Sequence, residues 1–136
     1  MEALTQLFDD LSRDFNIGTF ETHLEKMVLP TTMYVADSVI FMADQVSLLR
    51  NLNTFRNNLI KLGFTRIEPE ILSITQIQKL SARVTVRWHF FNSGNEAFSS
   101  YDLIYFCTNT EKGWLIALTE TPNPLDVNVT GGLPIT

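Results

Sequence analysis

The residues best suited to chemistry cluster in "VRWHFFNSGNEAFSSYDLIYF", from Val86 to Phe106. A tight turn in its middle makes it a hairpin, and Arg87, His89 and Asp102 then share one face. An aspartate beside a histidine holds its tautomer and raises its pKa, so one reading is a charge-assisted proton-transfer triad. The other is a diagonal cross-strand ion pair, Arg87 with Asp102, at a dimer interface. Glu120, near the end of the last strand, is the remaining candidate acid or base. Buried at a cavity mouth its carboxyl would titrate high; emerging into solvent it would do nothing. Tyr34, Trp88, Tyr101 and Tyr105 have apolar bodies and polar tips. With Phe55 they are candidates to line a ligand pocket, where the tips would offer hydrogen bonds, or to fill a core. His23 is expected on the polar surface of a short helix. Cys107, in an apolar strand pattern, reads as a buried, inert thiol. One cysteine and two distant histidines have no metal-ligand spacing, so no metal is expected. With no Gly-rich phosphate loop and no Gly-x-Ser-x-Gly elbow, no cofactor is expected either.

These residues sit in a chain of 136 residues, 45% hydrophobic and 18% charged, which suits one globular domain with one core. A net charge of -5 argues against nucleic-acid binding, which needs a basic surface. No apolar run approaches the roughly 20 residues that span a bilayer, and no membrane association is expected. The acidic, amphipathic "MEALTQLFDD" is not a signal peptide, so the expected location is cytoplasmic and the sequon at Asn128 is read as chance.

Leu4, Leu7, Phe8, Leu11 and Phe15 recur at helical spacing, and Gly18 closes that helix. Thr19 can cap a short second helix burying Phe20, Leu24 and Met27, stopped by Pro30. "TTMYVADSVIFMAD" gives two short strands about a turn at Ala36-Asp37-Ser38. Asp44 caps the longest helix, whose stripe is Leu48, Leu49, Leu52, Phe55, Leu59 and Leu62, and Gly63 ends it. From Phe64 the period becomes two. Four strands follow: about Arg66 to Lys79, bent near Pro69; Ala82 to Phe91; Ala97 to Asn109; Trp114 to Thr121. Residues 1–121 form the domain, and residues 122–136, rich in Pro, Gly and Asn, form an irregular tail.

Helices first and a strand meander later predict an α+β domain with the helices against one sheet face. If Ser93 and Gly94 centre the turn, Asn92 opposes Asn95, Val86 opposes Tyr101 and Val84 opposes Leu103. Counting back through "TEKG" puts Cys107 near Ile116 and Tyr105 near Leu118. The inner face then carries Val84, Val86, Trp88, Tyr101, Leu103, Tyr105, Ile116, Leu118 and Glu120. The outer face carries Arg87, His89, Phe91, Phe98, Asp102 and Phe106, with Thr119. So many large apolar groups outside imply a cover, most simply a second copy of the chain across a two-fold axis.

The order of elements, with "MYVADSVIFMAD" after two helices, a long helix ending in "KLGF" and a closing "EKGWLI", resembles the nuclear transport factor 2-like superfamily. That superfamily includes ketosteroid isomerases, scytalone dehydratase and polyketide cyclases. The resemblance covers about Leu4 to Thr121 and implies a strongly curved, mainly antiparallel sheet wrapped round its helices, a cystatin-like cone-shaped α+β barrel. It also implies a deep apolar pocket and dimerisation through the outer sheet face. The isomerases' catalytic aspartate would fall at Phe41, Met42 or Ala43, and their first-helix tyrosine at Phe8 or Phe15, none of which can serve. Their second acidic residue would fall near Leu103 to Tyr105, with Asp102 on the opposite face. The expectation is a homodimeric domain that binds a small hydrophobic molecule, leaning away from an enzyme. The alternatives are a lyase, isomerase or cyclase for a polyketide- or steroid-like substrate, using Glu120 or a tyrosine, and a protein-interaction module.

Overall fold

The computed structural model describes residues 2–35 and 38–121; the centre of the expected turn at 36–37 and the whole of the expected tail at 122–136 lie outside them. The chain forms α1 (Glu2–Ile17), α2 (Phe20–Leu24), β1 (Met27–Val35), β2 (Ser38–Met42), α3 (Gln45–Lys61), β3 (Arg66–Gln78), β4 (Ser81–Phe91), β5 (Ala97–Thr110) and β6 (Gly113–Glu120). The six strands make one curved sheet in the order β2-β1-β6-β5-β4-β3. All neighbouring pairs are antiparallel except β1 with β6. Among the described residues no helix is long and apolar enough to cross a membrane.

The helices form for the reasons the spacing gives. The α1 stripe Leu4, Leu7, Phe8, Leu11 and Phe15 is buried, at roughly 25 cal/mol for each Å² of apolar surface removed from water. Gly18, at φ +86°, ends α1, with its N–H and that of Thr19 donating to the Asp14 carbonyl. The Asp44 carboxylate accepts from the Ser47 N–H at the start of α3, which holds its pKa below the usual range. Gly63, at φ +97°, follows α3, but Leu62 is exposed because the chain turns away from the core before it.

Two expectations about α2 fail. Thr19 makes no side-chain cap bond, and Pro30 does not stop the helix. The helix ends at Leu24, and Met27 and Pro30 belong to β1. Pro30 falls where the β1–β6 register is interrupted, between Met27 and Thr32, so its missing N–H spoils no regular ladder.

Polar side chains fix the helices to one another and to the sheet. Arg56 on α3 donates to the Phe15 carbonyl (2.8 Å) and the Asn16 carbonyl (2.9 Å), satisfying two of the carbonyls left open at the end of α1. Asn16 copies a strand partner: its Oδ1 accepts from the Ile67 N–H (2.7 Å) and its Nδ2 donates to the Ile67 carbonyl (3.1 Å). Asn16→Ala strips both bonds from a partly buried peptide unit. The expected loss is about 2 kcal/mol, read as a lower urea midpoint at unchanged slope.

Sheet register carries the main departure from expectation. Between β4 and β5, Val84 faces Tyr105, Val86 faces Leu103, Arg87 faces Asp102 and Trp88 faces Tyr101. Every pair is displaced by two residues from the expected one. The cause is the turn. Asn95 donates back to the Asn92 carbonyl and takes a positive φ of 61°, and an extra residue, Phe98, enters β5 opposite the Phe90–Phe91 step. A displacement of two leaves every side chain on its expected face. The β5–β6 pair behaves otherwise. Cys107 does face Ile116, but a bulge between Phe106 and Cys107 then pairs Phe106 with Leu118, Tyr105 with Thr119 and Ile104 with Glu120. The end of β6 is thereby reversed, with Thr119 inside and Leu118 and Glu120 outside.

Candidate functional site

Inside the curved sheet, between α1, α2 and α3, lies a cavity of about 110 Å³. Its walls are overwhelmingly apolar, with Met27, Met33 and Met42 at one side and Phe15, Phe55 and Phe90 at another. Five polar residues interrupt them: His23, Asn51, Tyr101, Tyr105 and Thr119. Of the pocket residues expected from sequence, the structure brings together Phe55, Trp88, Tyr101 and Tyr105. Phe55 on α3 reaches across to the sheet, its ring centroid 6.5 Å from Tyr101 and 6.3 Å from Phe90.

Tyr34 does not join them. It pairs with Val39 and Glu120 on the outer side and is 44% exposed, while its neighbour Met33 lines the cavity. Glu120, weighed as a cavity acid or base, stands beside Ile104 on the outer side because of the bulge at Ala117 in β6. Its place in the wall is taken by Thr119, only 2% exposed.

The polar groups differ in how they are satisfied. Trp88 Nε1 donates to Tyr105 Oη at 2.7 Å, so this oxygen has an incoming bond while its own proton has no acceptor among the described residues. The Tyr101 hydroxyl, on a residue only 7% exposed, has no hydrogen-bond partner among the described residues, and neither does the Thr119 hydroxyl. Burial raises the acid range of both tyrosines, so each keeps its proton at neutral pH and is a donor.

His23 is the residue that sequence reasoning misplaced. It lines the cavity, and its Nδ1 is shut off from solvent with no partner. Burial lowers its pKa to about 4, against the opposing pull of Asp14 and with a smaller push from Lys26. Asp14 and Lys26 are themselves paired, Nζ to Oδ2 at 2.9 Å. The signal was present: Phe20, His23, Leu24 and Met27 lie at i, i+3, i+4 and i+7, an apolar stripe containing the histidine. Cys107 is buried as expected, its thiol pushed up to about 12. Among the described residues no three His, Cys, Asp or Glu side chains gather to hold a metal ion.

The conspicuous triad is divided between two pairs on the outer face. Arg87 makes a bidentate bridge to Asp102, at 2.8 and 3.1 Å, straight across the strands and not diagonally. His89 Nε2 meets Glu70 Oε1 at 2.8 Å and is not bonded to Asp102. Phe91 and Phe106 lie under the chain's own Arg66 and Arg83, at 4.0 and 6.0 Å. Phe98, expected clear of the core on that face, is the extra residue of the Phe90–Phe91 bulge, and its ring lies 6.4 Å from Phe90. The apolar part of the outer face lies elsewhere. One row across the sheet runs Phe41, Thr32, Leu118, Phe106, Arg83; the next runs Val39, Tyr34, Glu120, Ile104, Thr85. Val39 and Phe41 are each 63% exposed.

A family model described as an NTF2-like protein (DUF6841) matches residues 2–124. No curated protein matches the chain. Solved structures match over most of its length. An NTF2-like protein of unknown function from Shewanella oneidensis has a TM-score of 0.68 and 12% identity, covering 88% of this chain and 96% of its own. A domain of unknown function with a cystatin-like fold from Nostoc punctiforme has 0.72 and 14%, covering 95% and 80%. An NTF2-like protein with a cystatin-like fold from Novosphingobium aromaticivorans has 0.69 and 15%, covering 96% and 84%. At such identities the likeness is one of fold.

Proposed function

The chain belongs to the NTF2-like family DUF6841, and from that premise we propose that it is a homodimeric domain that binds a small, largely apolar molecule in its sheet-and-helix cavity. The observation that carries this is an apolar chamber whose wall holds the unpartnered Nδ1 of His23 and the hydroxyls of Tyr101 and Thr119, which make no hydrogen bond among the described residues. A core that only had to be filled would close over such groups or pair them. About 110 Å³ is the size class of cavities that take a single ring, so a steroid is too large without rearrangement. The three methionines leave the wall adaptable. The binding test uses methylcyclohexane and cyclohexanone with amide and side-chain NMR. Shifts confined to cavity residues, with saturation, are the expected result; no shift from any single-ring compound sinks the reading.

The second copy would sit on the outer sheet face, centred on Phe41, Leu118 and Phe106. The paired charges Arg87–Asp102 and His89–Glu70 would fall toward its rim. Exposed Val39 and Phe41 support this, since apolar groups so arranged are ordinarily covered. Sedimentation should give a dimer at micromolar concentration for the wild type and a monomer for Phe106→Glu. A wild-type monomer overturns the arrangement. A cytoplasmic setting is part of the same reading.

A further inference from the structure

The cavity's polar groups are unequal in what they ask of a ligand. A phenolic hydroxyl is a good donor and a poor acceptor, because its ring withdraws the oxygen lone pair. Tyr101 keeps its proton at neutral pH, and that proton has no acceptor among the described residues. The Tyr105 oxygen already accepts from Trp88 at 2.7 Å, leaving its proton as what it can offer. The cations nearby are engaged: Lys26 with Asp14, and Arg56 with the carbonyls of Phe15 and Asn16. A carboxylate entering this chamber would lose its hydration and meet His23 only as a neutral imidazole, since burial opposes its protonation, so anions are disfavoured. What the two tyrosine hydroxyls lack is a neutral hydrogen-bond acceptor on an apolar body.

We infer that the cavity takes a small neutral ketone of about one ring, and that Tyr101 Oη recognises it by donating to the carbonyl oxygen. This rests on the small-molecule reading above and narrows it to a chemical class. Tyr101 is a good anchor because its orientation is fixed. It stands opposite Trp88 in the β4–β5 ladder, and its ring lies 5.3 Å from Phe90 and 6.5 Å from Phe55.

The test compares cyclohexanone, cyclohexanol and methylcyclohexane, which share one shape, on the full chain and on Tyr101→Phe, a variant that loses only the hydroxyl. Dissociation constants come from NMR titration, and the carbonyl stretch of bound cyclohexanone is read by infrared difference. The expected result is that Tyr101→Phe weakens cyclohexanone about tenfold, cyclohexanol less, and methylcyclohexane not at all. The bound carbonyl stretch should be lowered in the wild type, and that lowering lost in the variant. Equal effects on all three ligands overturn the inference while leaving the pocket standing. So does a carbonyl-specific loss in Thr119→Val and not in Tyr101→Phe. If none of the three ligands binds the wild type, the small-molecule reading itself fails.

Discussion

Phe55→Ala is expected to lower folding stability by about 3–5 kcal/mol, measured as the shift of the urea transition at constant slope. Phe55 is the side chain by which α3 closes over the sheet, touching Phe15 at 5.6 Å as well as Phe90 and Tyr101. Its removal costs the transfer energy of a buried ring and leaves a void continuous with the existing cavity. The surrounding rings come from α1, β4 and β5, which are pinned by Arg56, by Asn16 and by the ladder, so they have little freedom to collapse. The same substitution should let a two-ring hydrocarbon such as naphthalene bind and restore part of the loss. A destabilisation under about 1 kcal/mol would mean that α3 is not held by this contact.

The second large effect is a pH dependence. Unfolded His23 titrates near 6.5 and folded His23 near 4. Between those values the unfolded chain binds the extra proton, so stability falls as pH drops from about 6.5 to about 4 and this contribution levels off below. The span of 2.5 units sets a ceiling of about 3 kcal/mol. Asp14 pulls the other way and Lys26 pushes the same way, but those two are paired and face the imidazole together. His23→Phe should match the wild type near pH 7 and lose less stability on acidification, because the other titrating groups remain. Parallel stability curves for the two proteins would show that the imidazole is not held neutral by burial.

The recognisable order of helices and strands came through in the sequence because each element has its own period. Leu4 to Phe15 repeats at the helical interval, and Val84 to Phe90 alternates. The wall of the cavity was legible for the same reason. Trp88, Tyr101 and Tyr105 stayed inside although the hairpin register was two residues from expectation, since a displacement by an even number preserves the face. What spacing cannot show is a bulge inside a strand. The extra residue Ala117 in β6, opposite the Phe106–Cys107 step, reverses the end of that strand, turning Glu120 outward and Thr119 inward.

Nor does sequence position alone say which partner an ionisable group will find. Arg87, His89 and Asp102 share a face as expected, yet β3 brings Glu70 to His89, and the presumed triad becomes two bridges. The sequence by itself determined most of the interior, because burial is written in the periods of two and 3.6, and it failed where a bulge or a helix end breaks the period, at Leu62, Leu118 and Thr119. Only the tertiary structure decided which interior polar groups remain unpaired. That depends on the packing of elements distant in the chain, and it sets Tyr101, Thr119 and His23 around one chamber.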